Sequence, residues 1–189
     1  MIRIGILGNI GSGKSYVAKN FGYPVFDADY EVSKLYKNNK TMFKKLNNEL
    51  PKYLKSFPIK KNEIIEAVLS NKNNLKKIIK IVHKEIRKKL NFFLKKNKHK
   101  KIVILDIPLL LENKINKKND ILVFVDSKKS IVEKKLKKRA NFNLKIYNKF
   151  KKIQFSYAYK KKKSNYVIKN NFREKNVKRE IRNILYKIL

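Results

Sequence analysis

Short apolar runs alternate with longer amphipathic stretches along this chain. Five runs predict strands, and they span Ile2–Leu7, Val25–Asp29, Ile102–Asp106, Ile121–Asp126 and Tyr166–Ile168. The third and fourth runs are almost continuously apolar, which is typical of strands buried on both faces of a parallel sheet. The stretches between the runs and after the last one predict helices. This alternation favours a three-layer α/β sandwich.

Two longer stretches show helical periodicity. From about Glu31 to Leu94 the apolar residues are spaced as on amphipathic helices, with Pro51 and Pro58 between them, which predicts a helical insertion. Residues 144–163 carry many lysines among periodic apolar residues. We expect one long helix there, with a solvated face.

The composition fits one domain in a reducing compartment. The 189 residues suffice for one α/β domain with a sizeable core, and the chain contains no cysteine for disulfides or thiolate metal sites. Its apolar runs are strand-sized, and the first is interrupted by Arg3. We therefore expect neither a signal peptide nor a membrane span, and a cytoplasmic location.

The chain is strongly basic, with 50 Lys and Arg residues against 14 Asp and Glu residues and a formal net charge of +36. The lysines recur from Lys34 to Lys187 instead of forming one stripe, so a compositional bias is the preferred interpretation. Nonspecific attraction of polyanions and electrostatic steering of a phosphate-rich substrate stay open. We find no nucleic-acid-binding module and expect no specific nucleic-acid partner.

A phosphate-binding loop follows the first predicted strand. Gly8, Gly13, Lys14 and Ser15 fill every fixed position of the pattern G-x-x-x-x-G-K-[ST], and residues 16–21 can continue as a helix. The glycines let successive N–H groups surround an anion, Lys14 should reach the β- and γ-phosphates, and the Ser15 hydroxyl should coordinate Mg²⁺. The expected nucleotide-binding residues are Gly11, Ser12, Gly13, Lys14, Ser15 and Tyr16.

Two aspartates lie at the end of the second predicted strand. In an extended segment, Asp27 and Asp29 would point to the same side of the backbone, towards the phosphate site. Asp29 is the better candidate for the base that accepts the proton of an attacking hydroxyl. Its alternative role is the N-cap of a helix that begins near Tyr30.

The third predicted strand ends in another carboxylate. Asp106 could hold Mg²⁺ directly or through water. Pro108 then diverts the chain, and residues 109–111, beginning with Leu109, are leucines that suit a core or a pocket wall. Glu112 could contact an acceptor, or it could cap and pair.

Two further side chains are candidates for the site. Arg139 is predicted to lie late in a basic helix, Ile131–Lys138, and could bind transition-state charge, although a solvated helix end is the alternative. His83 could contact the acceptor, but packing within the helical insertion is the better default.

Together these motifs resemble the dephospho-CoA kinase family, in the family's order and over nearly the whole chain. The matching segments are Gly8–Ser15, Asp27-Ala28-Asp29, His83 before Ile86-Arg87, Leu105–Glu112, Arg139, Gln154 and Val167–Asn170. The resemblance implies ATP-dependent phosphorylation of the ribose 3′-hydroxyl of dephospho-CoA, with Mg²⁺, to give CoA and ADP. It also implies Asp29 as the hydroxyl-activating carboxylate and Arg139 as a lid arginine.

The family fold implied is a three-layer α/β/α P-loop kinase with a five-stranded parallel sheet, a helical acceptor-binding insertion and a lid. On this chain of one domain, 1–189, the core would comprise about 1–30, 100–138 and 164–189. The insertion would be about 31–99, and the lid with its following helix about 139–163. The acceptor contacts would be Asp27, Asp29, His83, Pro108, Leu109 and Glu112. We expect a monomer.

Four residues depart from the family's usual pattern. Tyr16 stands in place of Thr, Lys84 in place of Pro, Lys135 in place of a frequent Arg, and Phe172 in place of Gly. None of them touches the phosphate chemistry directly. The alternatives are another P-loop kinase acting on a nucleoside or nucleotide, and a nucleic-acid-associated NTPase.

Overall fold

A computed structural model of the chain describes residues 1–139 and 142–189. Its sheet has five strands, β1 (Ile2–Gly8), β2 (Val25–Asp27), β3 (Ile102–Asp106), β4 (Ile121–Asp126) and β5 (Tyr166–Lys169). The spatial order is β2-β3-β1-β4-β5, and all neighbouring pairs are parallel. The expected α/β fold with a five-stranded parallel sheet is thus confirmed. Because β1 lies between β3 and β4, the loop after β1 leaves the sheet beside the carboxyl ends of both strands.

Helices form most of the remaining chain. Among the described residues they are α1 (Lys14–Asn20), α2 (Ala28–Asn38), α3 (Lys40–Glu49), α4 (Lys61–Ser70), α5 (Lys72–Lys96), α6 (Lys129–Lys137), α7 (Leu144–Lys152), α8 (Tyr157–Lys162) and α9 (Glu174–Ile188). Helix α1 contacts β1, β3 and α9, and α9 also contacts β5. None of the helices in the described ranges has the length and apolar character needed to cross a bilayer.

Two compact units make up the chain. The first comprises Met1–Asp27, Asn97–Asn143 and Lys149–Leu189 and contains the sheet. Its core combines the inner faces of the strands with the apolar stripes of two helices: Ile4, Ile6, Val17, Phe21, Ile102, Ile104, Val123, Val125, Ile168, Val177 and Ile181. Strands buried on both faces require such apolar runs, which is why the sequence identifies them.

The second unit comprises Ala28–Lys96 and Leu144–Asn148. Within it, α5 packs against α2, α3 and α4. The residues buried there recur at helical spacing: Leu35, Met42, Leu46, Val68, Leu75, Ile78, Val82 and Ile86. The apolar periodicity seen in the sequence is therefore the packed face of these helices.

Three predicted elements differ in extent from the observed ones. Strand β2 ends at Asp27, and Asp29 lies in the first turn of α2. The long helix expected over 144–163 is two helices, because Ser156 begins α8 by accepting a 3.2 Å hydrogen bond from the Tyr159 N–H. In addition, the basic helix expected at Ile131–Lys138 runs from Lys129 to Lys137. Residues 140 and 141 of the expected lid lie outside the described residues.

Candidate functional site

The loop between β1 and α1 forms a narrow turn of backbone amides. Gly11 and Gly13 have φ angles of 81° and 87°, a region that L side chains rarely adopt. A Cβ at Gly13 would collide with the side-chain amide of Asn170, and one at Gly11 would lie 2.9 Å from Val132. The glycines at these two positions are therefore required by both backbone conformation and close packing.

Residues from the ends of β4 and β5 hold this loop in place. The buried carbonyl of Ser12 accepts hydrogen bonds of 2.8 Å from the Ser127 hydroxyl and 2.8 Å from the Asn170 amide. The Ser12 hydroxyl is also buried and has no hydrogen-bond partner within the described ranges. The Lys14 ammonium donates to the carbonyls of Gly8 (3.2 Å) and Asn9 (3.0 Å), so it lies across the loop.

A buried carboxylate stands beside the loop at the end of β3. Asp106 is 4% exposed and lies in register with Asp27 of β2. Burial raises the pKa of Asp106, and the nearby negative charge of Asp27 adds to this, whereas a hydrogen bond from Ser15 and the positive charge of Lys14 lower it. The structure therefore brings Asp27, Asp106, Ser15 and Lys14 together.

The oxygen atoms of this cluster suit a magnesium ion. Mg²⁺ prefers oxygen ligands and is usually held by one or two carboxylates together with substrate phosphates and water. Residues 1–139 and 142–189 contain no group of three or more His, Cys, Asp and Glu side chains arranged to hold a metal. The Ser15 and Asp106 oxygens fit an ion that takes its remaining ligands from a bound nucleotide and from water.

A small cleft opens on the Lys14 side of the loop. Gly8, Lys14, Pro108, Leu109 and Glu112 line it, so residues predicted separately from the sequence share one surface. Glu112, whose role the sequence left open, accepts a 2.8 Å hydrogen bond from the main-chain N–H of Phe155. The carboxylate thereby anchors the segment that precedes α8.

The cleft also contains a buried lysine that was not predicted from the sequence. Lys160 is 3% exposed, lines the cleft together with Gln154, and donates a 2.9 Å hydrogen bond to the Gln154 side-chain oxygen. Burial lowers the pKa of Lys160, and the positive charge of Lys14 lowers it further, while Glu112 raises it. Lys160 begins a run of four lysines, so composition alone could not distinguish it from its solvated neighbours.

Asp29 and His83 belong to the second unit. Asp29 is exposed in the first turn of α2, so the prediction that it shares one side of a strand with Asp27 is wrong, and so is the alternative that it caps a helix starting near Tyr30. His83 is half-buried on α5, one turn before Arg87. Burial lowers the pKa of His83, and the positive charge of Arg87 adds to this effect.

Arg139 is exposed two residues beyond the end of α6, where its main-chain N–H donates to Leu136. Arg139 was predicted to lie late in this helix, but it lies outside the helix. Within the described residues, no hydrogen bond or ion pair joins its guanidinium to the phosphate loop. A role in the lid therefore stays a prediction.

Two of the unusual residues lie together beside the loop. Phe172 has a φ angle of 63°, and its N–H donates a 2.8 Å hydrogen bond to the Asn170 side-chain oxygen. The Lys135 ammonium lies 4.5 Å from the centre of the Phe172 ring. Glycine adopts such a positive φ angle freely, whereas phenylalanine rarely does. The hydrogen bond to Asn170 and the contact with Lys135 therefore support Phe172 at a position where glycine is usual. Tyr16, in the first turn of α1, is 40% exposed.

Comparison with known proteins identifies a family for this chain. The family model described as Dephospho-CoA kinase matches residues 2–176. The dephospho-CoA kinase of Wolbachia pipientis wMel is 31% identical over 187 residues, which cover 96% of this chain and 95% of that relative.

Two solved structures share the fold. TT1252 from Thermus thermophilus has a TM-score of 0.79 and 25% identity, and the match covers 100% of this chain and 97% of the other. A dephospho-CoA kinase from Campylobacter jejuni has a TM-score of 0.63 and 22% identity, with 98% and 96% covered.

Proposed function

This chain belongs to the dephospho-CoA kinase family, and we propose that the residues around its phosphate loop transfer the terminal phosphoryl group of ATP to the ribose 3′-hydroxyl of dephospho-CoA. The enzyme is a kinase that phosphorylates dephospho-CoA with ATP, the final step of CoA biosynthesis. The observation that carries the assignment of roles is the joint position of Lys14, Ser15 and Asp106.

ATP binding is assigned to the loop and the residues that follow it. The backbone amides of Gly11, Ser12 and Gly13 surround the phosphates. Tyr16, which follows Ser15 in the first turn of α1 and is 40% exposed, would also contact the nucleotide. Lys14 exchanges its hydrogen bonds to the Gly8 and Asn9 carbonyls for bonds to the β- and γ-phosphates. A charged acceptor supports this exchange, because a hydrogen bond to phosphate is stronger than one to a neutral carbonyl.

Ser15 and Asp106 would hold Mg²⁺. The bound ion would neutralise charge on the β- and γ-phosphates. Asp106 serves this role as a carboxylate, and Lys14 and Ser15 favour that charged form against the effect of burial. Asp27 adds a second carboxylate at the adjacent strand end, suited to water-mediated contacts.

Asp29 is proposed as the general base. It would accept the proton of the ribose 3′-hydroxyl while the hydroxyl oxygen forms a bond to the γ-phosphorus and the bond to ADP breaks. Two facts support this role. Its side chain is exposed, and only one residue separates it from the end of β2, where Asp27 lies beside Asp106.

The acceptor and lid roles follow the family resemblance. We assign dephospho-CoA contacts to His83, Pro108, Leu109 and Glu112, with about 31–99 as the acceptor-binding insertion. Arg139 would bind the ATP phosphates from a lid at about 139–163, where its planar guanidinium suits phosphate oxygens. We also propose that the protein is a monomer and that it works in the cytoplasm. The lack of cysteine supports the proposed location, because it is compatible with a reducing compartment.

An acceptor panel tests the proposed substrate. We would measure ADP release with dephospho-CoA, nucleosides and nucleoside monophosphates, using Lys14→Ala to identify contaminating activity and Lys19→Ala as the exposed control on the same helix. We expect turnover with dephospho-CoA that Lys14→Ala abolishes and Lys19→Ala preserves. A faster reaction with a nucleoside or a nucleotide would refute the proposed acceptor.

A further inference from the structure

Lys160 is the buried cation for which the proposed chemistry has no role. Its side chain is almost completely shielded from solvent. Burying an ammonium is costly unless charges and hydrogen bonds compensate it. Among the described residues, the only hydrogen-bond acceptor of its ammonium is the neutral Gln154 side chain at 2.9 Å. A lysine has three N–H donors, so the protein leaves this cation incompletely paired.

The electrostatic surroundings of Lys160 favour an anion. Lys160 and Lys14 line the same cleft, and the positive charge of Lys14 disfavours the charged form of Lys160. Glu112 supplies negative charge, but its carboxylate also accepts the Phe155 N–H at 2.8 Å. Among the residues that line the cleft, two lysines stand against one carboxylate, so the lining carries a net positive charge. Asp106 and Asp27, the carboxylates near Lys14, are not among these lining residues. The cleft is too narrow to enclose a phosphate group, but a multiply charged anion at its opening would offset this charge.

A purely structural role explains these observations less well. Lys160 could simply hold α8 against the Gln154 segment, but a neutral side chain would do so without the cost of a buried charge. The same helix already has an attachment, because Tyr157 and Lys161 both donate to Asp126, at 2.9 and 3.4 Å. The unusual feature of Lys160 is its charge, and the charge faces the same cleft as Lys14.

We propose that Lys160 contacts the terminal phosphate of ATP from the side opposite to the loop, with Gln154 as the residue that positions it. The inference rests on the proposed function for the position of the phosphates. A contact to the terminal phosphate favours ATP over ADP. Lys160 would therefore contribute to the choice between nucleoside triphosphate and diphosphate, a role distinct from that of Lys14, which reaches both phosphates.

The test compares the binding of a non-hydrolysable ATP analogue with that of ADP by calorimetry. The variant is Lys160→Met, which keeps much of the side-chain volume and removes the charge. The matched control is Lys162→Met, because Lys162 is exposed on the same helix. Lys160→Arg retains the charge and should retain most of the preference for the triphosphate.

We expect Lys160→Met to weaken binding of the triphosphate analogue by about tenfold or more while ADP binding changes less than about threefold. Lys162→Met should bind both as the wild type does. Equal losses for both nucleotides, or no loss for either, would overturn the proposal. A general packing defect would produce equal losses.

A crystal structure of the wild type with the triphosphate analogue decides the matter if Lys160→Met does not fold. The Lys160 ammonium should lie about 2.7–3.2 Å from an oxygen of the terminal phosphate, and a separation beyond hydrogen-bond reach would overturn the proposal. The two hypotheses can fail independently. The wild type could fail to phosphorylate dephospho-CoA while Lys160→Met still removed the preference for the triphosphate. In that case only the proposed acceptor would be wrong.

Discussion

The side-chain amide of Asn170 donates a 2.8 Å hydrogen bond to the main-chain carbonyl of Ser12, 158 residues earlier in the chain. The same amide occupies the space that a Cβ at Gly13 would need. The end of β5 therefore fixes the phosphate loop from outside. The main-chain N–H of Asn170 in turn donates a 2.7 Å hydrogen bond to the main-chain carbonyl of Asp126 at the end of β4.

Loss of this contact should loosen the loop. We expect Asn170→Ala to lower the free energy of unfolding by about 1–2 kcal/mol and to raise the KM for ATP several-fold, because the Ser12 carbonyl keeps only its bond from Ser127. Urea unfolding and initial rates would measure the two effects. Asn171→Ala, at the exposed neighbouring position, is the control. Unchanged ATP affinity in Asn170→Ala would show that the loop does not need the contact.

Replacing the buried carboxylate of Asp106 should raise the stability of the protein and lower its activity. Burial raises the pKa of Asp106 above its unfolded value, so the stability that this group contributes is fully present below the unfolded pKa and is lost as the pH rises through the folded pKa. At neutral pH the charged Asp106 is therefore unfavourable, and Asp106→Asn should stabilise the protein against urea. Turnover should fall by about a hundredfold or more, since the Mg²⁺ ligand is lost. A destabilised Asp106→Asn would contradict this account.

The same pKa shift predicts a pH dependence for magnesium. As the pH falls, Asp106 becomes protonated at a higher pH than an ordinary aspartate, and the affinity for Mg²⁺ should fall with it. Measuring the Mg²⁺ requirement of turnover from neutral to acidic pH would show this change. In Asp106→Asn the contribution of this group should disappear, leaving only the titration of the nucleotide. Identical profiles for the two proteins would exclude Asp106 as the group that titrates.

The proposed base should matter for turnover more than for nucleotide binding. We expect Asp29→Asn to lower kcat by about 10²–10⁴-fold with little change in the affinity for ATP. Glu31→Gln, which removes another carboxylate from the first turn of α2, is the matched control and should keep most of the activity. Near-normal turnover in Asp29→Asn would remove its assigned role.

A buried ion pair outside the phosphate site should affect stability alone. Arg3 and Asp120 are joined at 3.0 Å, with side chains 9% and 2% exposed, and Asp120 also accepts a 2.9 Å hydrogen bond from the Lys117 N–H. Arg3→Met should destabilise the protein by about 3–5 kcal/mol at neutral pH, because it leaves a buried carboxylate without its cation. This loss of stability should become smaller in acid, where Asp120 becomes protonated. The KM for ATP should stay unchanged, and a large increase would show that the pair also shapes the site.

The parts of the fold that local sequence determines were predictable. Strands β3 and β4 are buried on both faces and must be apolar, and the phosphate loop needs glycine and lysine at fixed spacing. The end of β2 was not predictable, because this edge strand stops where its pairing with β3 stops at Asp27 and Asp106. The sequence predicted a helix that begins near Tyr30, but nothing in the residues around Asp29 shows that the helix already begins at Ala28.

Long-range contacts account for the other differences. The helix expected over 144–163 is interrupted where the Phe155 N–H bonds to Glu112, 43 residues away. Likewise, Lys160 differs from Lys161–Lys163 only by its burial in the folded chain. Periodicity and composition describe neighbours in sequence, so they cannot identify a charge that tertiary packing encloses.

The position of the new phosphate on the product tests the central claim most directly. The protein would be incubated with ATP, Mg²⁺ and dephospho-CoA, and the products separated and identified by mass spectrometry and phosphorus NMR. We predict equal amounts of ADP and of an acceptor that has gained one phosphoryl group on its ribose 3′-oxygen, and none with Lys14→Ala. ADP formed without a phosphorylated acceptor, or a phosphate on another atom, would contradict the account.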